Sequence, residues 1–238
     1  IYTPGMDIFD LIDISCQTNN PIIYHIVYDN PTNCLVSNLN KYTGIKIYDI
    51  EDSYDVLNII NCIQSGGYTH TIFKYLCPQF NYISNKLPDI SYNQISHHID
   101  NNIFNINLIS KKDIDILIYG NNSDFYPFRQ RLFNLIKKSD IKYFEIPFPG
   151  YGDDRNPLKY DPIIEKKLAH VINRSKFTIC TSSKFDYLLK KYLEVSLCGS
   201  IIIGNMPSFD GKLFGDNYIS LNDNMSEIEI INVIKDSI

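Results

Sequence analysis

The sequence predicts an α/β protein built on parallel sheet, and three observations carry that expectation. Short apolar runs alternate with amphipathic stretches through the second half, which is the pattern of strands joined by helical crossovers. Those apolar runs, such as Ile116–Ile118 and Ile201–Ile203, are continuous rather than alternating, as strands buried on both faces are. The composition, 44% hydrophobic and 21% charged over 238 residues, is globular and large enough for one or two cores.

The second half is read first. Asp113–Gly120 reads as a buried strand ending in a glycine turn. Ser123 or Asp124 can cap the next helix, Pro127 suits its first turn, and Phe128, Leu132, Leu135 and Ile136 make its apolar face. Lys142–Ile146 reads as a second strand, stopped by Pro147 and Pro149. Asp161-Pro162 starts a helix with Ile164, Leu168, Val171 and Ile172 on one face, and Phe177–Cys180 is a third strand. The next helix places Leu189, Tyr192, Leu193, Ser196 and Leu197 inward. Ile201–Ile203 and Tyr218–Leu221 give two more strands, and Ser226 with Glu229 forms a capping box for the last helix. The order β-α-β-α-β-α-β-β-α over residues 109–238 is that of a Rossmann-like domain.

Residues 1–108 suggest a shorter or incomplete α/β domain with a linker. Ile22–Tyr28 and Ile45–Tyr48 read as strands, Asn81–Ile83 as a weaker one, and Asp55–Gln64 as a helix stopped by Gly66-Gly67. The Asn-, Ser- and Asp-rich stretch Asn85–Asn107 reads as the connector.

Composition excludes several classes. Lys and Arg total 22 against 27 Asp and Glu, a net charge of −5 that disfavours a nucleic-acid backbone binder. No apolar run approaches the roughly 20 residues of a bilayer span, and the acidic start does not read as a signal peptide. Six scattered cysteines without a C-x-x-C pair predict neither structural zinc nor a disulfide framework, and fit a reducing, cytoplasmic compartment, so the sequons at Asn121 and Asn173 read as incidental. Ile, Asn, Tyr and Lys abound, Trp is absent and alanine occurs once, a bias of AT-rich coding. Asn and Tyr therefore carry little signal, whereas the four arginines, at 129, 131, 155 and 174, carry more.

Ligands of open parallel sheets bind beyond the carboxyl ends of the strands. Gly120 follows the first strand of the second domain, and Arg129 and Arg131 lie in the next helix, a combination suited to an anion. It is neither a complete G-x-G-x-x-G nor a P-loop. The loop Pro147–Arg155, with Gly150 and Tyr151, follows the second strand and reads as a second ligand-facing segment. Asp29 sits where the strand Ile22–Tyr28 ends, and His25 lies within that strand as a core or edge residue.

The stretch Ser182–Ser200, with Lys-Tyr-Leu-Glu, four residues, then Gly before an apolar strand and Asn205-Met-Pro207 after it, resembles the nucleotide-sugar-binding domain of GT-B glycosyltransferases. So do Ile118-Tyr119-Gly120 and Tyr126-Pro-Phe-Arg129-x-Arg131-Leu132. The nearest resemblance is to spore-coat glycosyltransferase-like proteins and their giant-virus homologues, over about residues 95–238. His97-His98-Ile99-Asp100 is similar to that group's inter-domain linker.

The resemblance implies two Rossmann-like domains and transfer of a sugar from a nucleotide-diphosphate donor, UDP-linked in many relatives, to a glycan or protein acceptor. It implies no cofactor beyond that co-substrate, no metal, and a location in host cytoplasm or virion if the protein is viral. Glu194 then accepts the ribose hydroxyls, Asp186 is a second acid eight residues earlier, and Arg129, Arg131 or Lys191 meets the diphosphate. An ion pair with Lys190 is the competing role for Glu194. An inverting reaction needs a base from the first domain, with Asp29 first and His25, His70, His97 and His98 behind it. The competing reading from another class is a catalytically inactive nucleotide-sugar-binding or scaffold protein. A third, an unrelated α/β nucleotide binder or hydrolase, lacks the Gly-x-Ser-x-Gly elbow of many hydrolases.

Overall fold

The computed structural model describes residues 7–9, 21–27, 36–106, 111–148, 162–209, 214–215 and 217–238. It is an α/β protein with two parallel sheets and six described α-helices, an arrangement compatible with a Rossmann-like fold. The chain divides into two compact units, 1–96 and 97–238. The boundary expected from sequence, at 108/109, lies further along. Ile103 and Phe104 are buried in the core of the second unit with Ile99 packed against it, so the last part of the connector belongs to that unit.

The first unit holds β1 (Ile23–Val27), β2 (Lys46–Ile50), β3 (His70–Phe73) and β4 (Ser91–Gln94), all parallel and in chain order across the sheet. Helices α1 (Val56–Gly66) and α2 (Pro78–Lys86) cross between them. Asp55 caps α1 by accepting from the Asn58 amide, and Gly67 ends it at φ 61°, the left-handed conformation the Gly66-Gly67 stop predicts. Both helices and the turn Leu39–Lys41 contribute to one core, with Tyr48, Ile59, Ile63, Phe73 and Ile83 buried. The expected strand at Asn81–Ile83 is instead the middle of α2. Phe80 and Ile83, three apart, pack on that core as a helical pair rather than as alternating strand residues.

The second unit holds β5 (Ile114–Tyr119), β6 (Tyr143–Ile146), β7 (Ser175–Cys180), β8 (Ile201–Gly204) and β9 (Tyr218–Ser220). They are all parallel, in the order β6-β5-β7-β8-β9. Its helices are α3 (Pro127–Lys138), α4 (Pro162–Arg174), α5 (Lys190–Leu197) and α6 (Glu227–Ser237). Residues of α3 and α6 bury one face of the sheet through Leu132, Ile136, Ile230 and Ile234. Residues of α4 and α5 bury the other through Ala169, Ile172, Tyr192 and Val195. β5 and β7 are buried along nearly their whole length, and β5 carries the apolar run Ile116–Tyr119. The capping box of α6 forms as expected from Ser226 and Glu229. The cap of α3 does not: Tyr126 stands at that position without a side-chain bond, because a turn closed by the Tyr126 amide on the Ser123 carbonyl (2.8 Å) delivers Pro127 to the first turn.

The order β6-β5-β7 means that the chain winds first to one side of β5 and then to the other. Ligands of such sheets sit at that reversal, outside the carboxyl ends of the two strands that flank it. Here those ends are Tyr119 and Cys180. No described helix is long and apolar enough to cross a membrane.

Candidate functional site

Gly120, the first residue beyond β5, has φ 97°, a conformation that β-carbon sterics make costly for any other residue. A methyl group on it would lie 3.3 Å from Arg129 Nη1 and 3.9 Å from Lys191 Nζ. Two cationic side chains, one from α3 and one from α5, thus border the space that the missing side chain leaves open.

Arg129 is 3% exposed. Its Nη1 donates to the Asn121 carbonyl at 2.7 Å, and its Nε and Nη2 donate to the Thr181 hydroxyl and carbonyl, both at 3.3 Å. Its guanidinium stacks 4.0 Å over the Tyr126 ring. The loops leaving β5 and β7 are therefore tied to one cation. Lys191 is 7% exposed, donates to the Tyr119 carbonyl at 2.6 Å, and lies 3.9 Å over the Tyr119 ring. Among the described residues neither cation has a carboxylate within 4.0 Å. Burial, and secondly the positive field of Arg129, pull the Lys191 ammonium down to about 7. Burial likewise pulls Arg129 below its ordinary value. Two buried cations held by carbonyls and rings, beside a glycine that keeps their neighbourhood open, make an arrangement that an anion would relieve.

Glu194 lies one turn further along α5, 7% exposed. The Tyr119 hydroxyl donates to its Oε2 at 3.3 Å, and Lys190 approaches Oε1 at 3.6 Å. The ion pair with Lys190 therefore exists, but Lys190 sits closer to Glu165, at 2.8 Å. Burial raises the Glu194 carboxyl above the usual range, against the opposing pull of Lys190 and the Tyr119 bond. An ionised carboxylate has about four acceptor positions, so these contacts leave capacity for a diol.

The inward face of α5 differs from the expected one. Lys191, Tyr192, Glu194, Val195 and Cys198 are buried, while Ser196 and Leu197 are exposed. The helix starts at Lys190, and its rotation turns both charged side chains toward Tyr119 and leaves a leucine in solvent. A local rule of patterning is broken at the residues that carry charge into the sheet edge.

Asp186 lies in the loop before α5, the placement its pairing with Glu194 requires, and holds a left-handed φ of 62°. Its Oδ2 accepts from the Ser208 amide at 2.9 Å, joining the loops after β7 and β8. Asn205 joins the same loops: its side chain exchanges bonds with Ser182, and its carbonyl accepts from the Tyr192 hydroxyl at 2.6 Å.

Arg131 is not brought to this site. Two residues beyond Arg129 is about 200° around a helix, and Arg131 donates instead to the Asp223 and Met225 carbonyls ahead of α6. The cation that completes the pair is Lys191. Gly150, Tyr151 and Asp29 lie outside the described residues. His25 is buried in the first unit and bonds the Tyr68 hydroxyl, the core role its place in β1 predicts. His70 makes a 2.8 Å contact with Thr69 Oγ1.

Sequence reasoning missed Tyr119, Tyr126 and Thr181. Tyr119 stands out in the sequence only as part of Ile118-Tyr119-Gly120, because tyrosine is abundant here for compositional reasons. Its position as the last strand residue before the glycine turn was the available signal. No protein-family model matches the chain, and no curated protein matches it.

Proposed function

We propose that this chain is a glycosyltransferase of the GT-B type, with two Rossmann-like domains, that moves a sugar from a nucleotide-diphosphate donor to a glycan or protein acceptor. The observation that carries the reading is the Arg129–Lys191 pair bordering Gly120 at the reversal of the second sheet, with Glu194 one helical turn away. A nucleoside diphosphate has the matching pattern: charged oxygens for the cations and, a short distance along, a ribose diol for an acceptor-only carboxylate. Asp186 and the amino end of α5 stand beside this donor site.

On this reading the bond from the anomeric carbon to the diphosphate oxygen breaks, and a bond to an acceptor hydroxyl oxygen forms. The hydroxyl proton passes to a base, and the nucleoside diphosphate leaves with its charge met by Arg129 and Lys191. Stabilising that developing charge by fixed groups is the protein's main contribution, because no covalent intermediate is needed. Asp29 remains the first candidate for a base in the inverting version.

A thermal-shift panel of nucleoside diphosphates and their sugars tests the reading. A ligand present at 100 times its dissociation constant adds about 2.7 kcal/mol of stability. Stabilisation by a nucleotide sugar, followed by release of free nucleoside diphosphate on incubation, supports transfer. Stabilisation without release under any acceptor supports the inactive binding protein. No stabilisation by any member rejects both.

A further inference from the structure

Tyr119 touches both halves of the site through three different parts of one residue. Its carbonyl accepts from Lys191 Nζ at 2.6 Å, its ring lies 3.9 Å under the same ammonium, and its hydroxyl donates to Glu194 Oε2 at 3.3 Å. It is itself buried, at the carboxyl end of β5, where it pairs with Ile146 of β6 just beyond the last β5–β7 pair, Leu117 with Thr178. Lys191 and Glu194 are three residues apart on one short helix, so α5 alone sets their spacing along its axis. Only Tyr119 contacts both among the bonds described, and it ties that helix face to a rigid strand.

We infer that Tyr119 is a positioning residue that makes the site select nucleoside diphosphates over inorganic diphosphate, by aiming the Glu194 carboxylate at the ribose while its carbonyl and ring hold Lys191 for the diphosphate. This rests on the donor-site reading given above. The chemistry separates cleanly within the one side chain. The ring and the carbonyl serve the anion end. The hydroxyl serves the diol end alone, since its single proton is committed to Glu194. A carboxylate that keeps a fixed donor on one oxygen presents its remaining lone pairs in one direction, whereas a free one samples several rotamers and loses that entropy on binding.

The hydroxyl also bears on protonation. Removing a donor from the ionised carboxylate disfavours that form. The other groups around Glu194 are Lys190 and Lys191 of α5, Glu165 of α4, Cys180 of β7 and Cys198. None of them changes when the phenol is replaced by a phenyl.

The test is Tyr119→Phe in the full chain, titrated calorimetrically with inorganic pyrophosphate, with UDP, ADP and GDP, and with the 2′,3′-dideoxy form of whichever nucleotide wild type binds tightest. In wild type the ribonucleotide exceeds both its dideoxy form and pyrophosphate. In the variant, ribonucleotide affinity falls about three- to tenfold, pyrophosphate affinity is kept, and the preference for ribose over dideoxyribose shrinks by the same factor. The acid-side loss of ribonucleotide binding moves to higher pH, while the pyrophosphate profile stays in place. A purely structural role would lower both affinities together and leave the ribose preference and the pH profile unmoved, which overturns the inference. Equal affinities in wild type and variant overturn it as well. If wild type binds none of the nucleotides, the donor-site reading itself fails and the inference falls with it.

Discussion

The two units are both parallel α/β, yet the buried Asp49 of the first and the buried Arg129 and Lys191 of the second are met differently. In the first unit, Asp49 is 2% exposed and its carboxylate is met by Lys74 at 3.1 Å and by the Tyr24 hydroxyl. Lys46, also buried, donates to the Leu39 and Tyr42 carbonyls and closes the turn Leu39–Lys41 onto β2. Asp49 thus has its counter-charge within the fold, whereas Lys46, like Lys191, is held by neutral carbonyls beside a left-handed glycine, Gly67. In the second unit, Arg129 and Lys191 lie side by side with only neutral acceptors, and a glycine stands where a side chain could have filled the space. Topology accounts for the difference. Among the described residues the first sheet runs β1-β2-β3-β4 without reversal, whereas the second reverses across β5, the place where a switch-point crevice forms. Burying two unpaired cations lowers stability, and a fold keeps such an arrangement where a ligand supplies the counter-charge.

That contrast can be broken by substitution. The largest expected effect is in the first unit. Asp49→Ala removes the nearer carboxylate of Lys74, which keeps Glu51 at 3.6 Å, and the acceptor of the Tyr24 hydroxyl, and losing hydrogen bonds to a charged group costs about 1.5–3 kcal/mol each, read as a fall in the urea midpoint. The same experiment on Lys191→Met in the second unit should move the midpoint far less and should weaken pyrophosphate and nucleotide binding at least tenfold. Equal destabilisation by the two substitutions would erase the distinction.

Next in size is Gly120→Ala. Its φ of 97° is strained for alanine, at about 1–3 kcal/mol, and the new methyl meets Arg129 at 3.3 Å. Stability should fall and anion binding should be lost, the one substitution here expected to do both. Glu194→Gln should leave the melting temperature nearly unchanged and weaken nucleoside diphosphate binding by about 1.5–3 kcal/mol, with pyrophosphate unaffected.

A pH series sharpens the same point. The folded Lys191 titrates at about 7 and the unfolded one near its ordinary 10.5. Between those values the unfolded chain binds the extra proton, so this residue's contribution to stability rises with pH across that window. The midpoint difference between Lys191→Met and wild type should therefore shift in favour of wild type from pH 7 to pH 10, and a flat difference would contradict the assignment. The smallest effect on binding is at Arg131. Arg131→Ala removes bonds to two carbonyls at the foot of α6, worth about 0.5–1.5 kcal/mol each, and should leave every anion affinity as it was.

What the sequence disclosed follows the same division. The strands of the second unit were readable because burial on both faces forces runs such as Ile201–Ile203, and its last helix because Ser226 and Glu229 cap it by a local rule. In the first unit β4 is Ser-Tyr-Asn-Gln, with no apolar alternation to see, and β3 is four residues long. Their pairing comes from neighbouring strands rather than from their own pattern. At the site, Glu194 and Gly120 were legible, and Arg129 was found by its scarcity. Lys191 carries little signal in the sequence because lysine is common here, and counting arginines does not separate Arg131 from Arg129, because it ignores the roughly 200° between positions two apart on a helix.

The claim at the centre of this account is that Arg129 and Lys191 form a diphosphate site. Titration of the full chain with inorganic pyrophosphate, in wild type and in Lys191→Met, at low and raised salt, tests it most directly. Saturable binding that weakens with salt and falls at least tenfold in the variant is the expected result. Wild-type binding that is absent, or that the variant retains in full, would contradict it.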